Sequence, residues 1–371
     1  MKEKLHILIS GGGTGGHIFP ALSIADAIRR RIPCEILFVG AENRMEMEKV
    51  PAAGYDIIGL PVAGFDRRRL WRNIAVLWRL WRSMRRARAI VRRFRPDIAV
   101  GVGGYASGPV LRAAQRAGVP TLLQEQNSYA GVTNKLLARR ADSICVAYPG
   151  MERFFPADKI LLTGNPVRRE MTEQTLDPRA ARHSFGLAED RPTILVTGGS
   201  LGALTINESL EQGLQRLADA GVQVIWQTGK SFAPRAEKAA RKLKGIVVAP
   251  FVADMAKAYA AATVVISRAG AGSISEMELL GKAAILVPSP NVAEDHQTKN
   301  AQALASRGAA LLIPDADARR DLVTAALGLI ADPERIRSME AAAKALALPE
   351  SSQRIADEII RLTKPSQSQS K

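Results

Sequence analysis

The sequence predicts an α/β protein made of two doubly wound parallel-sheet domains in tandem, and three observations carry that expectation. Short apolar runs rich in β-branched residues alternate with helical periodicity along the chain. A strand that runs into a glycine-rich turn and then a helix occurs twice, as LHILISGGGTGGHIFPALSIADAI and as TILVTGGSLGALTINESLEQGL. The two copies stand half a chain apart, with Ile7 and Ile194 separated by 187 of the 371 residues.

The elements follow in order. After LHILIS, apolar spacing predicts a helix over 17–31; EILFVG is a second strand, followed by a helix over 43–53. A basic helical region leads into DIAVGVGG, and TLLQEQN and SICVAYP continue the rhythm. From Thr193 the pattern restarts and runs through VQVIWQTG, GIVVAPFV, TVVISRAGAGSISEMELLG, AAILVPSP and AALLIP. Gly164, Asn165 and Pro166 interrupt it and mark the junction, and KPSQSQSK reads as a polar, disordered tail. Open parallel sheets bind ligands beyond the carboxyl ends of their strands, where the strand order reverses. Two such domains facing each other would therefore bring both glycine-rich loops to one cleft.

Composition narrows the class. With 47% hydrophobic and 24% charged residues the chain has the balance of a soluble globular protein. Cys34 and Cys145 lie far apart and match no metal-ligand or redox spacing, which argues against a disulfide scaffold and a structural zinc site. The apolar run before the first glycines is shorter than the roughly 7–15 residues of an export signal core. No stretch approaches the roughly 18 apolar residues of a spanning helix, so membrane contact is expected at the surface only.

The charge is concentrated. Residues 64–95 hold twelve arginines against one acid, Asp66, and supply +11 of the net +16. Trp71, Ile74, Trp78 and Trp81 gather on one face of the predicted helix, with Arg72, Arg79, Arg82 and Arg86 on the adjoining flank. Three readings stand open: an apolar face that is simply core, docking on an anionic bilayer, and nucleic-acid binding. No recognisable nucleic-acid module accompanies the patch.

Gly11-x-Gly13-x-x-Gly16 fits a dinucleotide fingerprint, and both loops, 10–16 and 198–203, lead into helix N-termini suited to phosphate. A nicotinamide site also needs an acid closing the second strand. Here Glu35 precedes ILFVG, and the strand runs out into Gly40 and Ala41 before Glu42, so that reading fits poorly. Glu276, beyond Gly270 and Gly272 in RAGAGSISE, is better placed to hold a ribose, which puts a nucleotide site in the second domain. His17 follows the first loop at a helix start, where protonation is disfavoured and a neutral base is plausible. Glu125 in QEQN is the competing base, with Asn127 as a polar contact. No G-x-S-x-G elbow supports a serine triad.

Taken together, GGGTGGHIFPALSIA, VGVGGYASGPVLRAA, QEQNSYAGVTNK, GNPVR, VTGGSLGA, FVADMAKAYAAATVVISRAGAGSISE and DHQTKNA resemble the consecutive blocks of the MurG glycosyltransferases of peptidoglycan synthesis, in order from about residue 6 to 360. The resemblance implies the GT-B fold, two Rossmann-like domains facing across a cleft. It implies transfer of N-acetylglucosamine from UDP-N-acetylglucosamine to undecaprenyl-pyrophosphoryl-N-acetylmuramoyl-pentapeptide, converting lipid I to lipid II with inversion. It divides the chain into an acceptor and membrane domain (1–163), a UDP-sugar domain (164–348), a last helix (349–363) returning to the first domain, and a tail (364–371).

The resemblance also assigns roles. Glu276 would hold the ribose, Ser200 the diphosphate, Arg168 the nucleotide and the backbone around Val252 the uracil. Ala271, Gly272, Ser273, Ile274, Ser275 and Gln297 would surround the donor, completed by Thr14, Gly15 and Asn127. His17 is the expected base with Glu125 as its competitor, and Gly13, Gly16, Gly103, Gly104 and Tyr105 form the acceptor phosphate loops. No cofactor and no metal are expected, since loop N–H groups and a helix dipole can stabilise the leaving diphosphate.

A polyprenyl-linked acceptor favours the bilayer reading of the basic helix, with Ile74, Trp78, Trp81, Arg79 and Arg82 on an anionic membrane and no nucleic acid as partner. The expected place is peripheral, on the cytoplasmic face of the bacterial inner membrane, with other cell-wall and division proteins as further partners. One departure stands out: the family's HEQN block is QEQN here, with Gln124 in place of histidine. Two other classes share parts of the pattern. A two-domain nucleotide-sugar epimerase would keep the UDP site but carry extra acids in the cleft and lack the arginine–tryptophan helix. A non-catalytic basic scaffold would have no use for Glu276, Arg168 and Gln297 together.

Overall fold

A computed structural model describes residues 4–62, 73–168, 171, 176–199 and 201–364, with the side chains of 73–77 and 293 outside the description. The expectations for Ser200, Trp71, the Ile74 side chain and the polar tail past Lys364 lie outside the described residues. The chain divides into two compact units, Met1–Arg168 with Leu348–Lys371, and Arg169–Ala347.

The first unit runs β1 (Leu5–Ser10), α1 (Gly15–Arg29), β2 (Cys34–Ala41), α2 (Glu46–Ala52), β3 (Asp56–Leu60), α3 (Asn73–Phe94), β4 (Ile98–Gly101), α4 (Ser107–Arg116), β5 (Thr121–Glu125), α5 (Val132–Ala138), β6 (Ser143–Val146) and β7 (Ile160–Leu162). Its seven strands pair in parallel in the order β3-β2-β1-β4-β5-β6-β7. Both faces of the sheet are covered, which is why β1 reads as a continuous apolar run. Ile7 and Ile9 enter one core and Leu8 the other, all three fully buried.

The second unit repeats the plan with α6 (Pro178–Ser184), β8 (Thr193–Thr197), α7 (Leu204–Asp219), β9 (Gln223–Gln227), α8 (Ala233–Ala240), β10 (Ile246–Ala249), α9 (Met255–Ala261), β11 (Val264–Ser267), α10 (Ala271–Leu280), β12 (Ala284–Leu286), α11 (His296–Ala305), β13 (Ala310–Leu312), α12 (Ala318–Ile330) and α13 (Pro333–Leu346). Six parallel strands stand in the order β10-β9-β8-β11-β12-β13. Ile194 and Val196 of β8 face one core and Leu195 the other.

The last helix, α14 (Ser351–Thr363), belongs to the first unit. Ile355, Ala356 and Ile359 are fully buried in the same core as Ile24 and Ile28 of α1. At about 2 kcal/mol for each buried isoleucine, that face anchors the helix firmly. Arg31 adds an ion pair to Asp357 and donates to the Gln353 carbonyl. Gly164, in the segment leaving β7, has φ +84°, and a Cβ there would sit 2.4 Å from Ser351 Oγ and 2.6 Å from Leu348 Cβ. The approach of these two segments therefore depends on glycine at that position.

In each sheet the strand order reverses beside the first strand of the unit, between β1 and β4 and between β8 and β11. Each glycine-rich loop leaves a strand at that reversal, where an open parallel sheet forms its binding crevice.

Candidate active site

In the second unit the crevice lies between the turns that follow β8 and β11. It holds a cavity of about 460 Å³ lined by Gly198, Gly199, Gly202, Ser267, Arg268, Gly270, Ser273, Ser289, Gln297 and Asp315, among others. The turn after β8 packs so closely that a Cβ on Gly202 (φ +78°) would meet the Thr228 carbonyl oxygen at 2.0 Å. Helices α7 and α10 both begin at this crevice, with no acid in either first turn and no side-chain cap from Ala203 or Gly270. Two positive helix ends with N–H groups that lack intrahelical partners suit a diphosphate.

The expected donor residues divide by what they present. Glu276, on α10, is buried and accepts from the Tyr259 hydroxyl at 3.1 Å, which fixes one carboxylate oxygen. Gln297 Oε1 accepts from the Ser289 amide at 2.8 Å, so this side chain shapes the β12–α11 loop. The Val252 amide donates to Gln227 Oε1 at 2.9 Å, leaving the carbonyl as the other backbone group a base could meet there. Ala271 is buried, while Gly272, Ser273 and Ser275 are half-buried. Ile274 is fully buried in core, so only its backbone is available to a ligand. Neither Glu276 nor Val252 lines the cavity, which is formed by the turns after β8, β11, β12 and β13 and the first turns of α7 and α10.

Sequence reasoning passed over a group beneath this crevice. Arg268 donates to the carbonyls of Val287 and Pro288 at 3.1 and 3.0 Å and to Asp315 Oδ1 at 2.5 Å, while Asp315 Oδ2 accepts from Thr205 Oγ1 at 3.0 Å. The network ties the first turn of α7 to the loops after β12 and β13. The available signal was an arginine set directly after a buried strand, in RAGAGS.

Burial pushes the carboxyl of Glu278, also on α10, up to about 8, opposed by Arg307. The folded state then holds a proton between pH 4.5 and 8 that the unfolded chain gives up, so stability falls as pH rises through that window. Each unit costs up to about 1.4 kcal/mol. The melting temperature is expected to drop from pH 5 to pH 8, and Glu278→Gln to flatten that slope. Parallel slopes for the two proteins would refute the assignment.

In the first unit the turns after β1 and β4 interlock. A Cβ on Gly104 (φ +84°) would sit 2.3 Å from the Gly12 carbonyl oxygen, and Ser107 Oγ donates to Ser10 and Gly103 carbonyls at 2.7 and 2.8 Å. His17 stands in the first turn of α1, its Nδ1 3.1 Å from Thr14 Oγ1. The tautomer in which Nδ1–H donates to Thr14 puts the basic lone pair on Nε2. A Cβ on Gly103 (φ +90°) would lie 2.9 Å from Nε2, so the β4 turn backs the imidazole. Gly13 has φ +91°, a conformation glycine adopts without strain. Gly15 lies against Phe19, Gly16 follows it in α1, and the Arg168 guanidinium stands 5.5 Å from the Phe19 ring centroid. Tyr105 is exposed.

Glu125 is buried below the next loop and its carboxylate is surrounded by donors: the amides of Asn127 and Gly131 at 3.2 and 3.0 Å, and the side chains of Asn127 and Asn134 at 3.3 and 2.9 Å. Burial pushes its carboxyl up, and these donors pull it back. Gln124 is fully buried, accepting from Gln126 Nε2 and donating weakly to Asn165 Oδ1 at 3.5 Å.

The arginine-rich α3 divides along its length. Ala87, Ile90 and Val91 are buried in the first unit's core, whereas Trp78 and Trp81 are 57% and 54% exposed. The reading in which the tryptophan face is core therefore fails at Trp78 and Trp81, the described part of that face. Arg82 lies over the Trp78 ring and Arg85 over Trp81, each 4.8 Å from the centroid, and Arg79 is exposed beside them. No helix among the described residues is long and apolar enough to cross a membrane.

Two Rossmann-like units, each with a glycine-rich crevice at its strand reversal, define the GT-B class of glycosyltransferases. Residues 7–146 match the glycosyltransferase family 28 N-terminal domain and residues 193–355 its C-terminal domain, and the chain belongs to glycosyltransferase family 28. A Bacteroides thetaiotaomicron protein named "UDP-N-acetylglucosamine--N-acetylmuramyl-(pentapeptide) pyrophosphoryl-undecaprenol N-acetylglucosamine transferase" is 58% identical over 367 residues, 98% of this chain and 99% of that one. A Porphyromonas gingivalis protein of the same name is 56% identical over 97% of this chain and 96% of its own. Among solved structures, Acinetobacter baumannii MurG superposes with a TM-score of 0.78 at 28% identity, over 96% of this chain and 99% of the other.

Proposed function

We propose that this glycosyltransferase moves N-acetylglucosamine from UDP-N-acetylglucosamine to undecaprenyl-pyrophosphoryl-N-acetylmuramoyl-pentapeptide, the lipid I to lipid II step of peptidoglycan synthesis. The observation that carries it is 58% identity along nearly the whole chain to a relative named for that reaction. The crevices supply matching chemistry. The diphosphate sits at the N-termini of α7 and α10, and Glu276 accepts hydrogen bonds from the ribose hydroxyls. His17 Nε2 takes the proton of the acceptor's sugar hydroxyl as its oxygen attacks the anomeric carbon. The bond from that carbon to the diphosphate oxygen breaks, UDP leaves with the electron pair, and one displacement inverts the centre. Glu125, with its oxygens already engaged, holds the Asn127–Gly131 loop in this scheme and is not the base.

The test is transfer of radiolabelled N-acetylglucosamine from its UDP donor to a short-chain lipid I analogue, with and without a chelator. Product is expected in both arms. A folded, UDP-binding protein that makes none would overturn the reading.

The acceptor's polyprenyl chain gives the exposed Trp78 and Trp81 a role: their rings enter the headgroup boundary while Arg79 and Arg82 meet anionic lipid, at about 1 kcal/mol per basic residue. On this reading the protein works peripherally, at the cytoplasmic face of the inner membrane. Binding to phosphatidylglycerol vesicles is expected to exceed binding to phosphatidylcholine vesicles and to weaken about tenfold or more in the Trp78→Ala, Trp81→Ala double variant. Equal binding by the double variant would remove the tryptophans from the interface.

A further inference from the structure

Glu46 opens α2 and is completely buried. Among the described residues no lysine, arginine or histidine pairs with it; its carboxylate is met by backbone amides. Oε1 accepts from the Ala41 amide at 2.9 Å, and the Gly13 amide lies 3.1 Å from both oxygens. A buried carboxylate is costly unless fixed donors replace its water, so this arrangement depends on the loop being held in one conformation.

Two glycines make the room. A Cβ on Gly12 (φ +151°) would meet Glu46 Oε1 at 2.0 Å, and one on Gly40 would meet Glu46 Cγ at 2.6 Å. The carboxylate thus fills a pocket formed by β2, the first glycine-rich loop and its own helix. In units that bind a dinucleotide, the amides of this loop receive a phosphate. Here an internal anion already holds the Gly13 amide.

We propose that Glu46 is a positioning residue of the acceptor site, a built-in substitute for phosphate. It closes the first glycine-rich loop to a nucleotide and fixes the following turn, so that Thr14 and His17 are presented to the acceptor. The inference rests on the transferase reading for its acceptor. A second anion on the Gly13 amide would face the carboxylate's charge, so the acceptor's pyrophosphate is left to the amides of the α1 first turn and of the Gly103–Tyr105 turn.

Two variants test it. Glu46→Gln turns an N–H donor toward amides that themselves donate, and Gly40→Ala displaces the carboxylate while retaining it. Both are compared with wild type for acceptor and donor KM, for UDP affinity by calorimetry, and for amide hydrogen exchange of the peptide spanning residues 11–19. Expected in both variants are faster exchange in that peptide, acceptor kcat/KM lowered tenfold or more with a raised acceptor KM, and UDP affinity within twofold of wild type. A purely structural role would lower the active fraction, and with it kcat, without moving the acceptor KM; that result overturns the proposal. So does unchanged exchange and acceptor KM in either folded variant. Absence of transfer by wild type would refute the transferase reading instead, and the exchange data would still decide whether Glu46 orders the loop. Should Glu46→Gln not fold, Gly40→Ala alone carries the comparison.

Discussion

Replacing His17 with alanine is expected to lower kcat by roughly 10²–10⁴-fold, the usual contribution of a positioned acid–base group. That range equals about 3–5 kcal/mol of transition-state stabilisation. The imidazole is held on two sides, by Thr14 Oγ1 at Nδ1 and by the Gly103 backbone, so the lost effect is that of a pre-oriented base. UDP affinity is expected to stay within a few fold, because the helix ends proposed for the diphosphate lie in the second unit. The pH–rate profile separates this from a packing role: the acid limb set by protonation of the base should vanish in His17→Ala. An acid limb retained at a uniformly lower rate would assign the base elsewhere.

Substituting Glu276 with glutamine is expected to weaken UDP binding about 10²-fold and raise the donor KM accordingly. A hydrogen bond to a charged group contributes about 1.5–3 kcal/mol, and tenfold corresponds to about 1.4 kcal/mol. Glu276 also accepts from Tyr259, so a loss of affinity alone could arise from disturbing that buried pair. A 2′,3′-dideoxy UDP analogue resolves the two causes. If the carboxylate binds the ribose, wild type and variant should bind the analogue equally; if the effect runs through Tyr259, the variant should lose the same factor with both nucleotides.

The fold was legible where periodicity and glycine placement agree. β1 and β8, each an apolar run ending in a glycine turn, are interior strands of their sheets, where burial on both faces demands such runs. The strands β3 and β7 escaped notice for physical reasons. β3 is DIIGL, interrupted by a glycine, and β7 is a three-residue edge strand whose Leu161 and Leu162 are partly exposed. Among the candidate site residues, His17 and Glu276 could be nominated from sequence because each follows a glycine turn on a helix. Glu46 and the Arg268–Asp315–Thr205 network could not, since their meaning lies in which amides and carboxylates the sheet brings together across 33 and 47 residues of chain. The tryptophan face of α3 shows the complementary limit: periodicity located the face, but exposure alone decided that it is not core.

The return of α14 to the first unit makes the second unit an insertion in the chain of the first. A ribosome delivers the seven strands of the first sheet early, yet the helix that covers Ile24 and Ile28 is released only after all of Arg169–Ala347 has been made. The inserted unit is contiguous and can close on itself as it emerges, in keeping with domains folding as units during synthesis. The older half of the polypeptide therefore completes its core last, and until then it carries an uncovered apolar strip along α1. That interval, set by the length of the insertion, leaves apolar surface exposed of the kind that makes folding intermediates prone to aggregate.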